Sequence, residues 1–296
     1  MNLTVFQLPT RRTETVTLGD WYIKALAAIK TLSNEPSSSI NAIVGYTLNK
    51  SRHFGISHPG YELSLSELYL LDTNLNQLVA GKPLPYITGK QEFYGFDFKT
   101  SPAVLIPRPE TELLVEHALS WLTSNRGKNL AADVGIGSGC ISISIIKNHP
   151  NLSFIGTDIS FNSLFIAQEN LRAFKLDGQI RLVQTDLLSG INCEFDLICA
   201  NLPYISSDIL SSLAVREHEP HSALDGGQDG LAYISALISQ SQSKIRKDGL
   251  ILLEIESSQS QAVLFLANEV FPNSNILLIY DLAGLPRLVK IELNGT

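Results

Sequence analysis

The sequence has little cysteine, little histidine, no basic excess and no long apolar run, and each shortage excludes something. Its three cysteines, Cys140, Cys193 and Cys199, are an odd number without Cys-x-x-Cys spacing. That excludes a disulfide framework and leaves them reading as small apolar side chains. Among six histidines only His218 and His221 share a helical spacing, and no neighbour completes a zinc set. No metal is expected. No stretch approaches the roughly 20 uninterrupted apolar residues of a membrane helix. The opening residues, MNLTVFQLPTRRTETV, lack the charged-then-apolar order of a secretory signal. A cytoplasmic protein without a membrane partner is the expectation. Internal repeats and low-complexity tracts are absent as well. The formal charge is −7, with 22 basic against 29 acidic side chains. Residues 1–130 hold 12 basic and 11 acidic side chains, and residues 131–296 hold 10 and 18. A tight grip on nucleic acid needs a basic face that releases counterions, so direct RNA or DNA binding is not expected.

What is present suits a soluble α/β protein with a second, smaller domain. The 296 residues are 44% apolar and 17% charged. The first eighty read as helices, because apolar positions recur at helical spacing after capping residues. Asp20 precedes Ile23, Leu26, Ala27 and Ile29. Ser37 to Ser39 precede Ile40, Ile43, Val44 and Leu48. Ser64 or Ser66 precedes Leu68, Leu71, Leu75 and Leu78, and Gly81 ends that run. Residues 1–81 are therefore expected to form a small helical bundle, a scaffold or substrate-docking module. Residues 82–107 are punctuated by proline and glycine. With Tyr86-Ile87 and Phe93 to Phe98 favouring extended backbone, they read as a linker carrying a β-hairpin. A helix from about Glu110 to Thr123 opens the third region, 108–296.

From residue 129 strands and helices alternate. Strands are expected at Leu130–Val134, Ser153–Asp158, Ile180–Gln184, Phe195–Ala200, Leu250–Ile255, Ile276–Tyr280 and Leu288–Glu292. Helices fit between them at 139–148, 160–174, 228–246 and 260–271. Such alternation implies a mostly parallel sheet of seven strands covered on both faces. Only seven residues separate the last two strands, too few for a crossover helix, so they form an antiparallel edge hairpin.

The chemistry is carried by the segments just beyond these strands. Asp133-Val134-Gly135-Ile136-Gly137-Ser138-Gly139 lies where the first strand gives way to a helix, and glycines there let a ligand approach the backbone. A dinucleotide fingerprint needs its third glycine at 140, where Cys140 stands. The compressed form beside an acid suits S-adenosylmethionine, which has no pyrophosphate but carries an amino acid end and a sulfonium cation. Asp158, 25 residues after Asp133, ends the second strand, where a carboxylate can accept from both ribose hydroxyls. Asp186 and Leu187 follow the third strand, where they can hold the adenine. Each acid alone also reads as a helix cap or turn former.

After the fourth strand comes Asn201-Leu202-Pro203-Tyr204. An amide nitrogen is a poor nucleophile because its lone pair is delocalised into the carbonyl. Two acceptors on its hydrogens, the Asn201 side-chain oxygen and the Leu202 carbonyl, can draw the group out of plane. Pro203 would hold that carbonyl inward and Tyr204 would stack on the planar acceptor. Alone, the tetrapeptide also reads as a strand-ending turn.

The glycine loop, Asp158 and Asn201 to Tyr204 together resemble the class I methyltransferases of amino groups conjugated to a planar system. Pro85-Tyr86-Ile87, Glu92 to Gly95 and the run from Val104 through Arg108, Glu110 and Thr111 to Glu112 are similar to release factor glutamine N5-methyltransferases. So are Glu219-Pro220, Ala223-Leu224 with Gly227 to Leu231, and Asp281 to Gly284 with Arg287. The resemblance spans about residues 83–291. It implies a class I seven-stranded methyltransferase sheet, S-adenosylmethionine as donor and S-adenosylhomocysteine as product. It further implies the glutamine of a Gly-Gly-Gln loop in class I release factors as acceptor, with the N-terminal domain recognising the rest of the factor. That family usually has proline where Leu202 stands, and Asn-Leu-Pro-Tyr also occurs in ribosomal RNA adenine dimethylases. A ribosomal protein glutamine, an RNA adenine and a non-catalytic cofactor-binding role are the alternatives. The run from Arg108 to Glu112 and the acidic charge favour the release factor.

Overall fold

The computed structural model describes residues 15–213 and 217–295. Residues 1–14, on which most of the reading of no secretory signal rests, lie outside them. The chain divides into two compact units, the first ending at Gly89 and the second beginning at Lys90.

The first unit is helical: α1 (Leu18–Ile29), α2 (Pro36–Leu48), α3 (Phe54–Ser57), α4 (Leu65–Val79) and α5 (Leu84–Thr88). Its start signals are partly those expected. Ser64 opens α4 with a capping box, its hydroxyl accepting from Glu67 N while the Glu67 carboxylate accepts from Ser64 N. Thr17 rather than Asp20 caps α1. Asp20 lies in the first turn, where the helix end favours negative charge. In α2 Pro36 takes the first turn, which leaves the serines inside the helix. Trp21, Ala25, Ile29, Ile40, Ile43, Val44, Leu71 and Leu75 form the core of this unit. The Trp21 indole N–H is satisfied by Asp72 at 2.8 Å. Tyr86 and Ile87, expected to be extended, belong instead to α5. Pro85 suits a first helical turn, and Gly89, with φ 71°, ends the helix in the left-handed region.

The second unit opens with the hairpin β1 (Lys90–Phe93) and β2 (Phe96–Lys99), which are antiparallel. Tyr94 and Gly95 both have positive φ, 51° and 75°, as a two-residue type I′ turn requires. A 3-10 turn at Pro109–Thr111 runs into α6 (Glu112–Ser124). Next in the chain are β3 (Leu130–Val134), α7 (Cys140–Asn148), β4 (Ser153–Asp158), α8 (Phe161–Phe174), β5 (Ile180–Gln184), β6 (Phe195–Ala200) and α9 (Ser207–Leu210). The chain closes with α10 (Ala232–Ser241), β7 (Ile245–Glu254), α11 (Ser260–Val270), β8 (Asn275–Tyr280) and β9 (Pro286–Glu292). The seven-stranded sheet has the order β5-β4-β3-β6-β7-β9-β8. β3 to β7 are parallel, and the edge hairpin of β8 and β9 is antiparallel, as the short connection demands.

Two elements, α10 and β7, depart from expectation by more than two residues at a boundary. α10 is shorter than 228–246, because Gly227 and Gly230 have φ of 87° and 77° and cannot begin a helix. β7 starts earlier than 250. Phe195 N–H bonds to Lys244 O at 2.7 Å and Ile245 pairs with Phe195, with a register shift before Leu250.

The sheet is buried on both faces, and strand alternation distributes its side chains. Leu197, Cys199, Leu250 and Leu252 join one core with Ile141, Ile145, Leu164 and Leu171. Ile198, Ala200, Ile251 and Leu253 join the other with Ile234, Leu237, Val263 and Ala267. Strand order reverses direction between β3 and β6, which leaves a crevice beyond their carboxyl ends.

Candidate active site

The crevice is built by the segments at the carboxyl ends of four parallel strands. After β3, Gly135, Gly137 and Gly139 take φ of 72°, 53° and 80°. Their backbone positions hold the neighbouring strand end: Gly135 N and Ile136 N donate to Thr157 O at 2.9 and 2.8 Å. Gly137 N donates to Asp158 Oδ2 at 3.1 Å, and Ser160 N to Asp158 Oδ1 at 2.9 Å. Two backbone donors thus orient the Asp158 carboxylate, each using one lone pair of an oxygen that has another to offer. Burial raises the Asp158 pKa, with those N–H groups opposing.

Gly135, Gly137, Asp158, Asp186, Leu187, Asn201, Leu202 and Pro203 line one cavity together. Val104, Leu105, Ser163 and Tyr233 are also on its wall, and the sequence assigned none of these a part in the site. Leu187 adopts φ 51°, a left-handed conformation uncommon for a non-glycine residue. Asp133, Ile136, Ser138 and Gly139 do not line this cavity. Asp133 is fully buried beneath the loop, where its Oδ2 accepts from Ser142 N at 3.1 Å and its Oδ1 has no partner. Burial pushes its carboxyl up to about 7, with the Ser142 hydrogen bonds opposing and Asp158 reinforcing. Ile136 packs into the core above Gly156. The Ser138 carbonyl accepts from Asn170 Nδ2 at 2.8 Å, and Gly139 is the N-cap of α7.

Asn201-Leu202-Pro203-Tyr204 leaves β6 as the partition between that cavity and a second one. The second is lined by Leu105, Arg108, Asn201, Leu202, Tyr204, Ile205, Ala223 and Leu224. Asn201 Nδ2 donates to Thr111 Oγ1 at 3.0 Å. The Thr111 hydroxyl in turn is hydrogen-bonded to the carboxylate of Glu254, the last residue of β7. Glu254 is 4% exposed and its Oε2 has no partner. Burial pushes it up to about 7; the Thr111 hydrogen bond opposes this and Glu110 reinforces it, while Arg287 and Arg108 oppose. Burial also raises the Tyr204 phenol above its ordinary range, with Glu254 adding to the effect.

The partition is held from behind. Gln259 Nε2 donates to Tyr204 O at 2.8 Å. A Cβ on Gly226 would lie 2.8 Å from Pro203 O, and one on Gly230 would lie 2.3 Å from Tyr204 O. Only glycine allows that loop to press so close. Opposite, Arg108 pairs with buried Glu219, which also accepts from Ile106 N at 3.2 Å. Sequence reasoning assigned no role to Glu254, Gln259 or Thr111. A single acid closing the apolar run Ile251-Leu252-Leu253 was the available signal for Glu254.

Comparisons with known proteins agree along the chain. Residues 18–89 match the family described as PrmC N-terminal domain, ending where the first unit ends, and residues 109–217 match Methyltransferase small domain. The release factor glutamine methyltransferase of Koribacter versatilis is 37% identical over 275 residues, covering 91% of this chain and 95% of that one. Those of Moorella thermoacetica and Clostridium acetobutylicum are 41% and 34% identical, covering 72% and 93% of this chain and 76% and 98% of theirs. Among solved structures, the hMettl16 catalytic domain in complex with an RNA hairpin has a TM-score of 0.54 at 14% identity, covering 76% of this chain and 82% of that one. A T. thermophilus 16S rRNA N2 methyltransferase in complex with AdoMet and guanosine has 0.50 at 17%, covering 69% and 50%. These structural likenesses concern the fold.

Proposed function

The chain belongs to the release factor glutamine methyltransferase family, and from that premise we propose which reaction its cavities carry out. The methyl group of S-adenosylmethionine goes to the side-chain amide nitrogen of the glutamine in the Gly-Gly-Gln loop of class I peptide chain release factors. The observation that carries this reading is Asn201, on the wall shared by two cavities, with its amide nitrogen committed to Thr111.

The first cavity suits the donor. Asp158 has lone pairs left for two ribose hydroxyls, Asp186 and Leu187 flank the space for adenine, and the glycine loop presents open backbone. Beneath that loop, the Asp133 carboxyl would be drawn to its ionised form by the cationic amino acid end and sulfonium of the bound donor. When bound, S-adenosylmethionine supplies an electrophilic methyl group on a sulfonium sulfur and leaves as S-adenosylhomocysteine.

The second cavity suits a flat, neutral acceptor. Asn201 Oδ1 accepts one amide hydrogen and the Leu202 carbonyl accepts the other, so the nitrogen lone pair is freed from the carbonyl and aimed at the donor side. Leucine serves as well as proline here, because the acceptor is a backbone oxygen. Tyr204 stacks on the amide plane and Pro203 holds the backbone. No base is needed at the nitrogen, which sheds its extra proton to solvent once methylated. The reading calls for no metal. The helical region read at 1–81 docks the remainder of the factor, and 82–107 connects it to the methyltransferase region at 108–296. Release factors act in translation, so the proposed reaction is cytoplasmic. No helix among the described residues is long and apolar enough to cross a membrane.

The test is transfer of a labelled methyl group to a purified release factor, beside a factor whose loop glutamine is replaced by alanine. Label on the intact factor alone is expected. Equal label on both, or none on either, overturns the choice of acceptor.

A further inference from the structure

We propose that Thr111 and Glu254 are positioning residues that decide which way Asn201 presents its side-chain amide. The inference rests on the reading that Asn201 Oδ1 accepts from the substrate. An asparagine amide is nearly symmetric in shape, and turned over it would offer a donor where the acceptor nitrogen needs an oxygen. Something outside the substrate must therefore fix its orientation before binding.

The polarity of the hydrogen-bond chain supplies that. In its ionised form, which prevails above about pH 7, the Glu254 carboxylate only accepts hydrogen bonds, so the single Thr111 hydroxyl proton then goes to Glu254. The Thr111 oxygen is left as an acceptor, and it takes a hydrogen from Asn201 Nδ2 at 3.0 Å. With Nδ2 committed, Oδ1 faces the other way and has no partner among the described residues. The three groups come from distant parts of the chain: the turn at Pro109–Thr111, the end of β6 and the end of β7. Thr111 and Glu254 are 2% and 4% exposed, so water does not compete for the linkage. Burying a carboxylate whose Oε2 lacks a partner is costly, and fixing the polarity of this chain is a use for it. Neither side chain lines either cavity, so their effect on catalysis passes through Asn201.

The experiment is a mutant cycle in the full chain with S-adenosylmethionine and release factor. Thr111→Val keeps the shape and removes the acceptor. It is expected to lower kcat about tenfold to a hundredfold, while the cofactor Kd stays within about twofold. Thr111→Ser, which restores the hydroxyl, returns kcat to within about threefold. In an Asn201→Ala background the valine substitution adds nothing further, because the residue it acts through is gone. Wild-type turnover in Thr111→Val, or an equal extra loss in the Asn201→Ala background, overturns the proposal. Full turnover in Asn201→Ala alone overturns instead the reading of Asn201 on which it rests. Glu254→Gln, which cannot accept as a charge and can donate, is expected to lower kcat less than Thr111→Val with the unfolding midpoint unchanged or raised. Equal kcat in Glu254→Gln and wild type removes Glu254 from the pair.

Discussion

Asp196 and Glu254 sit at opposite ends of two neighbouring strands, and they meet burial in opposite ways. Asp196, near the start of β6, accepts from Asn129 N at 2.9 Å, Leu130 N at 3.1 Å and Arg246 at 2.8 Å, with Lys128 at 3.6 Å. Burial alone would raise its pKa, but these donors outweigh it and hold the carboxyl below its ordinary value. Glu254, at the end of β7, keeps an oxygen without a partner and is pushed up to about 7. Asp133 behaves like Glu254 at the carboxyl end of β3. The amino edge of the sheet is thus electrostatically matched and serves structure. The carboxyl edge is left undermatched where the cavities open, as perturbed groups at functional sites commonly are.

That contrast can be broken at either edge. The largest effect is expected from Asp196→Ala, which strands Arg246, Lys128 and two backbone N–H groups. It should cost about 3 to 5 kcal/mol in a urea titration, with kcat per folded molecule unchanged. Next comes Asn201→Ala, expected to lower kcat about 100- to 1000-fold in the labelled-methyl assay while calorimetry finds cofactor affinity nearly intact. A large loss of cofactor affinity would move Asn201 from the acceptor side to the donor side.

Stability against pH sharpens the comparison further. Asp196 has a lowered folded-state pKa, so its contribution is present above the ordinary carboxyl value and is lost as the solution becomes more acid. Glu254 is raised from 4.5 to about 7, so its contribution is complete below 4.5 and is lost as pH rises through about 7. That shift of about 2.5 units corresponds to roughly 3 kcal/mol. Glu254→Gln should flatten the fall in unfolding free energy between these values, and Asp133 and Asp158 should account for what slope remains. An unchanged slope would mean that Glu254 is matched by groups that keep it ionised. The smallest effect is expected from Asp158→Ala: about tenfold weaker cofactor binding by calorimetry, from lost charged hydrogen bonds to ribose. No loss would remove Asp158 from the ribose site.

Much of the fold was legible because the signals are local. Strands β3 to β6 run over the residues expected, since apolar side chains alternate between two buried faces and turn-forming residues lie at their carboxyl ends. Ser64 or Ser66 announced α4 by standing before Leu68, Leu71 and Leu75 at helical spacing, and Ser64 is the cap. Local signals also failed. Tyr86 and Ile87 look extended by composition, yet the prolines around them suit a helical turn. Ile245 looked like the end of a helix until Phe195 drew it into the sheet. Within the site, Asn201 to Tyr204 and Asp158 could be named from motif and strand end. Asp133 was named too, but only the structure places it under the loop instead of in the cavity wall.

By itself, then, the sequence determined the order of elements, the two-faced parallel sheet and the family to which the loops belong. The first two arise from periodicity and turn chemistry acting over a few residues, and the third from motifs that resemble those of one family. Only the tertiary structure decided that Thr111, Asn201 and Glu254 meet, that Asp196 is compensated and Glu254 is not, and that one tetrapeptide divides two cavities. The physical reason is that burial and hydrogen-bond polarity depend on which distant segments exclude water together. No window of neighbouring residues contains that information.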